Sequence, residues 1–136
     1  MASLAVRSSA VSMRPEGLDG KGHLTQALII RFPRGPETMR LYQGFDTLFP
    51  RQSKFKFDPH LSLLYHNLTA DQTGLLLREI ALDMQEMVFD ELWAVAIPEK
   101  LVAPDNLHGW QTLLTCRLAS ARNLDTIDSS TGHVKA

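Results

Sequence analysis

The segment 57–65, Phe-Asp-Pro-His-Leu-Ser-Leu-Leu-Tyr, constrains the fold more than any other part of the chain. Its alternation of apolar and polar residues predicts a β-strand, in which successive side chains point to opposite faces. The apolar face is expected to pack on the core and to consist of Phe57, Leu61, Leu63 and Tyr65. His60 and Ser62 then share the other face and point toward a common position.

A histidine and a hydroxyl at this spacing suit the handling of a phosphate group. The imidazole of His60 can give or take a proton near neutral pH, and the Ser62 hydroxyl can bind an oxygen of the same reacting group. Any strand offers such pairs, so a histidine that only hydrogen-bonds its neighbours in the sheet fits the spacing equally well. Spacing alone leaves both interpretations open.

The remaining periodicity predicts an α+β chain with the element order β-α-β-α-β-β. Strands are predicted at 24–32, 57–65, 88–97 and 110–118, and helices at 36–49 and 69–84. Pro36 suits the first turn of the first helix, and Thr69 with Gln72 forms a capping box for the second. The predicted buried helix faces consist of Met39, Tyr42, Phe45 and Phe49, and of Leu75, Leu76, Ile80 and Met84.

Composition limits the partners of this chain. Its 136 residues, 44% of them hydrophobic, can form one core, and the single cysteine, Cys116, is expected to pack there. The net charge of -1 gives no general attraction to nucleic acid, so we expect no duplex nucleic-acid partner. No apolar run is long enough to cross a bilayer, and we expect a cytoplasmic protein without a membrane partner. The first residues, 1–13, suit either an edge strand or a targeting segment.

The sequence lacks the motifs that mark several common types of catalytic and binding site. The sequence has no Gly-rich phosphate loop and no Gly-x-Ser-x-Gly elbow. His60, His66 and His108 lack the spacing of metal ligands, so we expect no metal and no cofactor. Trp93 and Trp110 are expected to pack in the core or at its rim rather than to stack on bases. The basic residues Arg31, Arg34 and Lys54 are expected to be surface charges, because a phosphate clamp would need a convergence that the sequence does not show.

The segment 59–65, Pro-His-Leu-Ser-Leu-Leu-Tyr, resembles the second signature sequence of the two-histidine phosphoesterases. This family comprises the cyclic phosphodiesterases and the 2′-5′ RNA ligase-like proteins. That family carries His-x-Thr/Ser twice, once in each of two similar halves. The resemblance covers 22–119 and includes the strand-like run 25–30, the helix-like run 36–49, the helix start at 67–71 and the strand-like run 110–118. It implies a ferredoxin-like half of that fold, an antiparallel sheet packed with two helices. We therefore expect an N-terminal strand or extension at 1–21 and the half-domain at 22–119. The polar segment 120–136 has no apolar periodicity, and we expect it to be a disordered tail.

The resemblance is to the C-terminal half only. The family's first half, with its own His-x-Thr strand, should lie before residue 22, where the sequence has only a short stretch. The segment His23-Leu24-Thr25 matches the His-x-Thr motif, but it lies closer to His60 than the family's two motifs lie to each other. It also stands at the start of a predicted strand that is followed by a helix, whereas the family's motif strand comes after a helix. The first catalytic histidine therefore has no clear counterpart here.

The function that the resemblance implies is hydrolysis of a small cyclic phosphate, such as a nucleoside 2′,3′-cyclic phosphate or a cyclic phosphate of ADP-ribose. His60 and Ser62 would be catalytic, and Tyr65 would lie near the ligand, while Gln26 could reach the cleft from the neighbouring strand. The second histidine motif would come in trans, from a second copy in a homodimer or from a separate N-terminal half. The alternatives are a catalytically silent nucleotide- or phosphate-binding remnant and a truncated gene product.

Overall fold

The computed structural model describes residues 1–49, 56–83, 85–98, 103 and 108–119. These residues form a mixed α+β structure whose strands pair antiparallel. The helices are α1 (Ala2–Val6), α2 (Pro36–Leu48) and α3 (Ala70–Glu79), with a 3-10 helix at Leu24–Gln26. The strands are β1 (Val11–Met13), β2 (Gly17–Asp19), β3 (Leu28–Arg31), β4 (His60–Leu64), β5 (Met87–Phe89), β6 (Glu91–Ala96) and β7 (Gln111–Arg117). The α+β class predicted from the periodicity is confirmed.

A three-stranded sheet of order β2-β3-β4 places the histidine strand at an edge. Strand β3 is the central strand, and its residues Leu28, Ile29 and Ile30 are buried. Arg31 pairs with His60, and the pairing continues past the strand ends through the Phe32 N–H, which donates to Pro59 O at 3.0 Å. The start of β4 is therefore held firmly against the end of β3.

The other strands form two further antiparallel pairs, β1 with β5 and β6 with β7, where the sequence predicts a single sheet. The strand predicted at 88–97 is interrupted at Asp90, whose carbonyl accepts from the Leu118 N–H at 2.7 Å. Strand β1 forms within 1–13, one of the two interpretations left open for that segment, but Ala2–Val6 is helical. Pairing partners depend on distant segments, which local periodicity does not report.

The predicted strand at 24–32 is too long. Its first turn is the 3-10 helix, closed by the Gln26 N–H donating to His23 O at 2.9 Å, and β3 begins only at Leu28. Leu24 and Ala27 are buried in this turn. A short buried apolar run has the same periodicity whether it is extended or tightly coiled, so the pattern did not separate the two.

The apolar side chains of β4 are less buried than predicted. Leu61 and Leu63 are 40% and 41% exposed, whereas their polar neighbours His60 and Ser62 are half-buried. Phe57 and Tyr65 are also half-buried. The prediction that Leu61 and Leu63 pack in the core is wrong, because β4 is an edge strand and its apolar face lies at the rim of the sheet.

Both predicted helices form, but α3 ends at Glu79, short of the predicted 69–84. Pro36 opens α2, and α3 has the predicted capping box: the Thr69 N–H donates to Gln72 Oε1 at 2.9 Å and the Gln72 N–H donates to Thr69 Oγ1 at 3.2 Å. The predicted apolar faces are only partly covered, since Phe49 and Leu75 are exposed and the buried helix residues are Thr38 and Thr73. The remaining predicted face residues Met39, Tyr42, Phe45, Leu76 and Ile80 are half-buried, and Met84 lies outside the described residues.

Two side chains of the β6–β7 hairpin, Trp93 and Cys116, are not fully buried. Trp93 is 58% exposed and its indole N–H donates to Glu91 Oε2 at 2.8 Å, so it does not lie in the core, one of the two positions expected for it. Cys116, expected in the core, is half-buried. The predicted tail at 120–136 lies outside the described residues. In the described part of the chain, every helix is too short or too polar to cross a membrane.

Candidate active site

His60 is oriented by hydrogen bonds at both ring nitrogens. Its Nδ1 lies 2.7 Å from Asp58 O, and its Nε2 lies 3.4 Å from Gln26 Nε2. A carbonyl oxygen can only accept, so Nδ1 carries the proton of this bond. In the neutral ring Nε2 is then left with a lone pair, which the Gln26 amide N–H approaches. This arrangement fixes the tautomer with the proton on Nδ1, and a reacting group would have to displace the Gln26 amide to reach the Nε2 lone pair.

Ser62 lies on the same face of β4, but its hydroxyl proton is already engaged. Ser62 Oγ donates to Thr25 O at 2.9 Å and so ties β4 to the 3-10 helix. Thr25 is the residue before Gln26, so this bond also holds the segment that brings the Gln26 amide to His60. In this state the Ser62 hydroxyl holds two segments of the protein together.

Replacing Ser62 with alanine should therefore lower stability as well as activity. We expect Ser62→Ala to reduce the free energy of unfolding by about 1 kcal/mol, because a half-buried hydrogen bond is lost and Thr25 O is left without this donor. Urea unfolding followed by circular dichroism measures the change. Ser12→Ala, at an exposed position of β1, is the matched control and should unfold like the wild type. Equal stability of the two variants would contradict this role for Ser62.

The loop before the 3-10 helix places Lys21 beside the histidine. The Lys21 N–H donates to Gln26 O at 2.8 Å, and Gly22 O accepts from the Leu68 N–H at 2.7 Å. Gly22 has a φ of 71°, and a Cβ there would lie 2.8 Å from Leu68 O. Both the backbone angle and the close approach require glycine at this position. The loop can therefore turn tightly enough to direct Lys21 toward His60.

His60 opens onto a cleft of about 450 Å³, which we call the His60 cleft. Its lining residues are Lys21, Gln26, Arg31, Arg34, Lys56, Asp58 and His60. Four of these are basic and one is acidic, although the whole chain has a net charge of -1. The cleft thus concentrates positive charge around an imidazole, which favours an anionic ligand.

Asp58 organises two of the four cations. Its carboxylate lies 3.5 Å from Lys21 Nζ and 3.6 Å from Arg31 Nη2, and Arg31 also pairs with Asp19 at 3.2 Å. The same residue offers its carbonyl to His60 Nδ1. Asp58 therefore fixes the histidine through its backbone and the neighbouring cations through its side chain.

The basic residues were not expected to converge. The sequence predicts Arg31 and Arg34 as surface charges, yet both line the cleft, together with Lys21 and Lys56, which sequence reasoning missed. Lys54 lies outside the described residues. The Arg31–His60 strand pair and the Gly22 turn produce this convergence, and neither leaves a recognisable motif in the sequence.

Tyr65 lies apart from the His60 cleft. An irregularity in the β3–β4 pairing at Leu28/Ile29 interrupts the alternation of β4 shortly before Tyr65. The Tyr65 ring instead packs edge-to-face on Trp110, with 5.7 Å between ring centroids, and Tyr65 does not line the cleft. The structure thus brings together His60, Gln26 and the basic side chains, and it leaves both Ser62 and Tyr65 outside the cleft lining.

The described residues place one histidine in the cleft. His23, His66 and His108 are exposed and do not line it, and His66 Nδ1 bonds to Asn67 O at 2.9 Å. Within the same ranges, no cluster of three or more His, Cys, Asp and Glu side chains could hold a metal ion. The described residues thus supply this site with one imidazole, one amide, one carboxylate and four cations. No protein-family model matches the chain, and no curated protein matches it significantly.

Proposed function

We propose that this protein is a cyclic phosphodiesterase-type hydrolase that binds a small cyclic phosphate in the His60 cleft. The observation that carries the proposal is the orientation of His60: Asp58 O holds the Nδ1 proton, and Nε2 faces a cleft lined by four basic residues. The cations neutralise the phosphate, and Nε2 exchanges a proton with the attacking water or the leaving sugar oxygen.

Hydrolysis of a cyclic phosphodiester needs two proton transfers. One group removes a proton from the water that attacks phosphorus, and another gives a proton to the sugar oxygen as its bond to phosphorus breaks. A single histidine can perform one of these steps at a time. The proposal therefore assigns the second step to a His-x-Ser motif from another chain, in keeping with the likeness to the C-terminal half of the two-histidine phosphoesterases.

The edge position of β4 supports a second copy of this chain as that source. Among the described residues nothing pairs with the outer edge of β4, so its backbone is open to an antiparallel partner strand. A twofold axis at Leu61 would place His60 of one copy directly opposite Ser62 of the other, on the same face of the extended sheet. The two histidines would then be diagonal neighbours, about 7–8 Å apart, with room for a phosphate between them.

A non-hydrolytic phosphate-binding role is the second candidate. Two observations favour it: His60 is the only histidine that the described residues place in the cleft, and the Ser62 proton is engaged by Thr25 O. Such a protein would bind the same ligands through the same cations. It would lack turnover, and this separates the two candidates. Both fit the cytoplasmic location expected for a chain with one cysteine.

The test is incubation of the folded protein with a nucleoside 2′,3′-cyclic phosphate at millimolar concentration. The proposal predicts release of the nucleoside monophosphate in proportion to protein concentration, measured by chromatography. Binding by calorimetry without turnover would replace the hydrolase by the binding protein. Neither binding nor turnover, with circular dichroism showing a folded chain, would remove both functions.

A further inference from the structure

The four cations of the His60 cleft fall into two pairs with different electrostatic surroundings. Lys21 and Arg31 are paired with carboxylates, at 3.5 Å and 3.2 Å respectively. Arg34 and Lys56 line the same cleft but form no ion pair with any other residue that the structure describes. Within the described residues, the cleft thus contains two basic groups that no carboxylate pairs with.

The topology places this second pair at one end of the cleft. Arg34 follows the end of β3, and Lys56 precedes the start of β4, while the bond between Phe32 N and Pro59 O holds the two segments together. Gln26 approaches His60 from the 3-10 helix, which precedes the opposite end of β3. A ligand whose phosphate lies at His60 therefore has Arg34 and Lys56 beyond it, on the side away from the 3-10 helix.

One carboxylate lies near this pair: Asp58 follows Lys56 by two residues and lines the same cleft. Its oxygens pair with Lys21 and Arg31 instead. Residues 50–55, which precede Lys56, contain Arg51 and Lys54 and no acidic residue. The acid nearest to Arg34 along the chain, Glu37, lines a separate small cavity together with Arg40. Two cations held at one end of a cleft repel each other, and an anion placed between them relieves that repulsion.

We infer that Arg34 and Lys56 form a second anion subsite, which selects substrates carrying a further phosphate group beside the cyclic phosphate. The inference rests on the proposed function for the position of the first phosphate. The chemical class is a nucleotide with a cyclic phosphate on one side of the sugar and a phosphate ester on the other. A mononucleoside cyclic phosphate would fill only the half of the cleft nearest His60.

The experiment compares two probes by calorimetry at low ionic strength: adenosine 2′,3′-cyclic phosphate and the same compound with an added 5′-phosphate. We expect the 5′-phosphate to lower the Kd of the wild type by about tenfold, and this ratio to shrink as salt is added. Arg34→Gln and Lys56→Gln should each bring the ratio between the two probes close to one. Arg40→Gln, an exposed α2 residue outside the cleft, is the matched control and should keep the wild-type ratio.

The outcomes separate this inference from the proposed function. Equal Kd values for the two probes in the wild type would overturn the second subsite, while turnover of either probe would leave the hydrolase intact. A preserved ratio in Arg34→Gln and Lys56→Gln would also overturn it. A tenfold ratio without turnover would support the subsite in a binding protein, and failure to bind either probe would remove the subsite and the function together.

Discussion

His60→Ala is expected to abolish measurable hydrolysis of a nucleoside 2′,3′-cyclic phosphate, with a loss of at least about 10²–10⁴-fold, the usual contribution of one positioned acid or base. His60 supplies the only imidazole that the described residues place in the His60 cleft. The fold should survive the change, because His60 is half-buried on an edge strand and its two bonds go to Asp58 O and the Gln26 side chain. Steady-state rates and thermal unfolding of the purified variant measure both effects.

The matched control is His66→Ala. His66 is exposed and lies outside the cleft, and the one bond that the described residues give its ring is to the carbonyl of Asn67. Its removal should therefore leave the rate and the unfolding transition unchanged. A rate for His60→Ala equal to that of the wild type would remove His60 from the chemistry. A large drop in thermal stability would instead assign His60 a structural role through its two hydrogen bonds.

The sequence was sufficient for the elements whose signals are local. The strand at His60 follows from the alternation of polar and apolar residues, and the start of α3 follows from the Thr69–Gln72 capping box, which depends on residues three positions apart. The start of α2 at Pro36 depends on one residue. Gln26 was also found from the sequence as a residue able to reach the cleft, and it lies 3.4 Å from His60 Nε2.

The basic character of the cleft required the structure. Lys21, Arg34 and Lys56 lie in different loops, and they meet because Gly22 turns one loop and because β3 and β4 end together. None of these residues has a sequence neighbour that marks it as a ligand group. Convergence of charges from separate segments is set by tertiary structure, so residue types along the chain predict only that such charges exist.

The prediction that the apolar side chains of β4 are buried failed for a related reason. Alternation predicts which side chains share a face, and it placed Leu61 and Leu63 opposite His60. It does not predict what covers that face. Because β4 is the last strand of its sheet, Leu61 and Leu63 remain partly exposed, and their apolar surface lies beside an open strand edge. An open edge beside apolar side chains is the kind of surface that another strand covers.

Pairing of two β4 strands predicts a distinctive loss of activity in mixed dimers. If each chain supplies one of the two histidines of a shared site, a dimer with one His60→Ala subunit is inactive. Equal amounts of wild type and His60→Ala, after subunit exchange, should then retain about a quarter of the wild-type activity at equal total protein, because random pairing makes only that fraction wild-type dimer. Independent sites in each chain would retain about half. A mixture with His66→Ala, which keeps its own activity, should show no loss.

The same arrangement predicts that Leu61→Lys separates the subunits and removes activity together. Leu61 lies at the proposed twofold axis and is 40% exposed, so a lysine there should be tolerated by the single chain but would bring two positive charges face to face in the dimer. Light scattering should show a monomer, and its hydrolysis rate should fall as far as that of His60→Ala. The matched control is Val88→Lys, which changes a more exposed apolar residue on β5 and should leave the dimer intact. A monomeric wild type that hydrolyses the substrate at any concentration would show that one chain holds a complete site, and the second proton-transfer group would then have to come from the same chain.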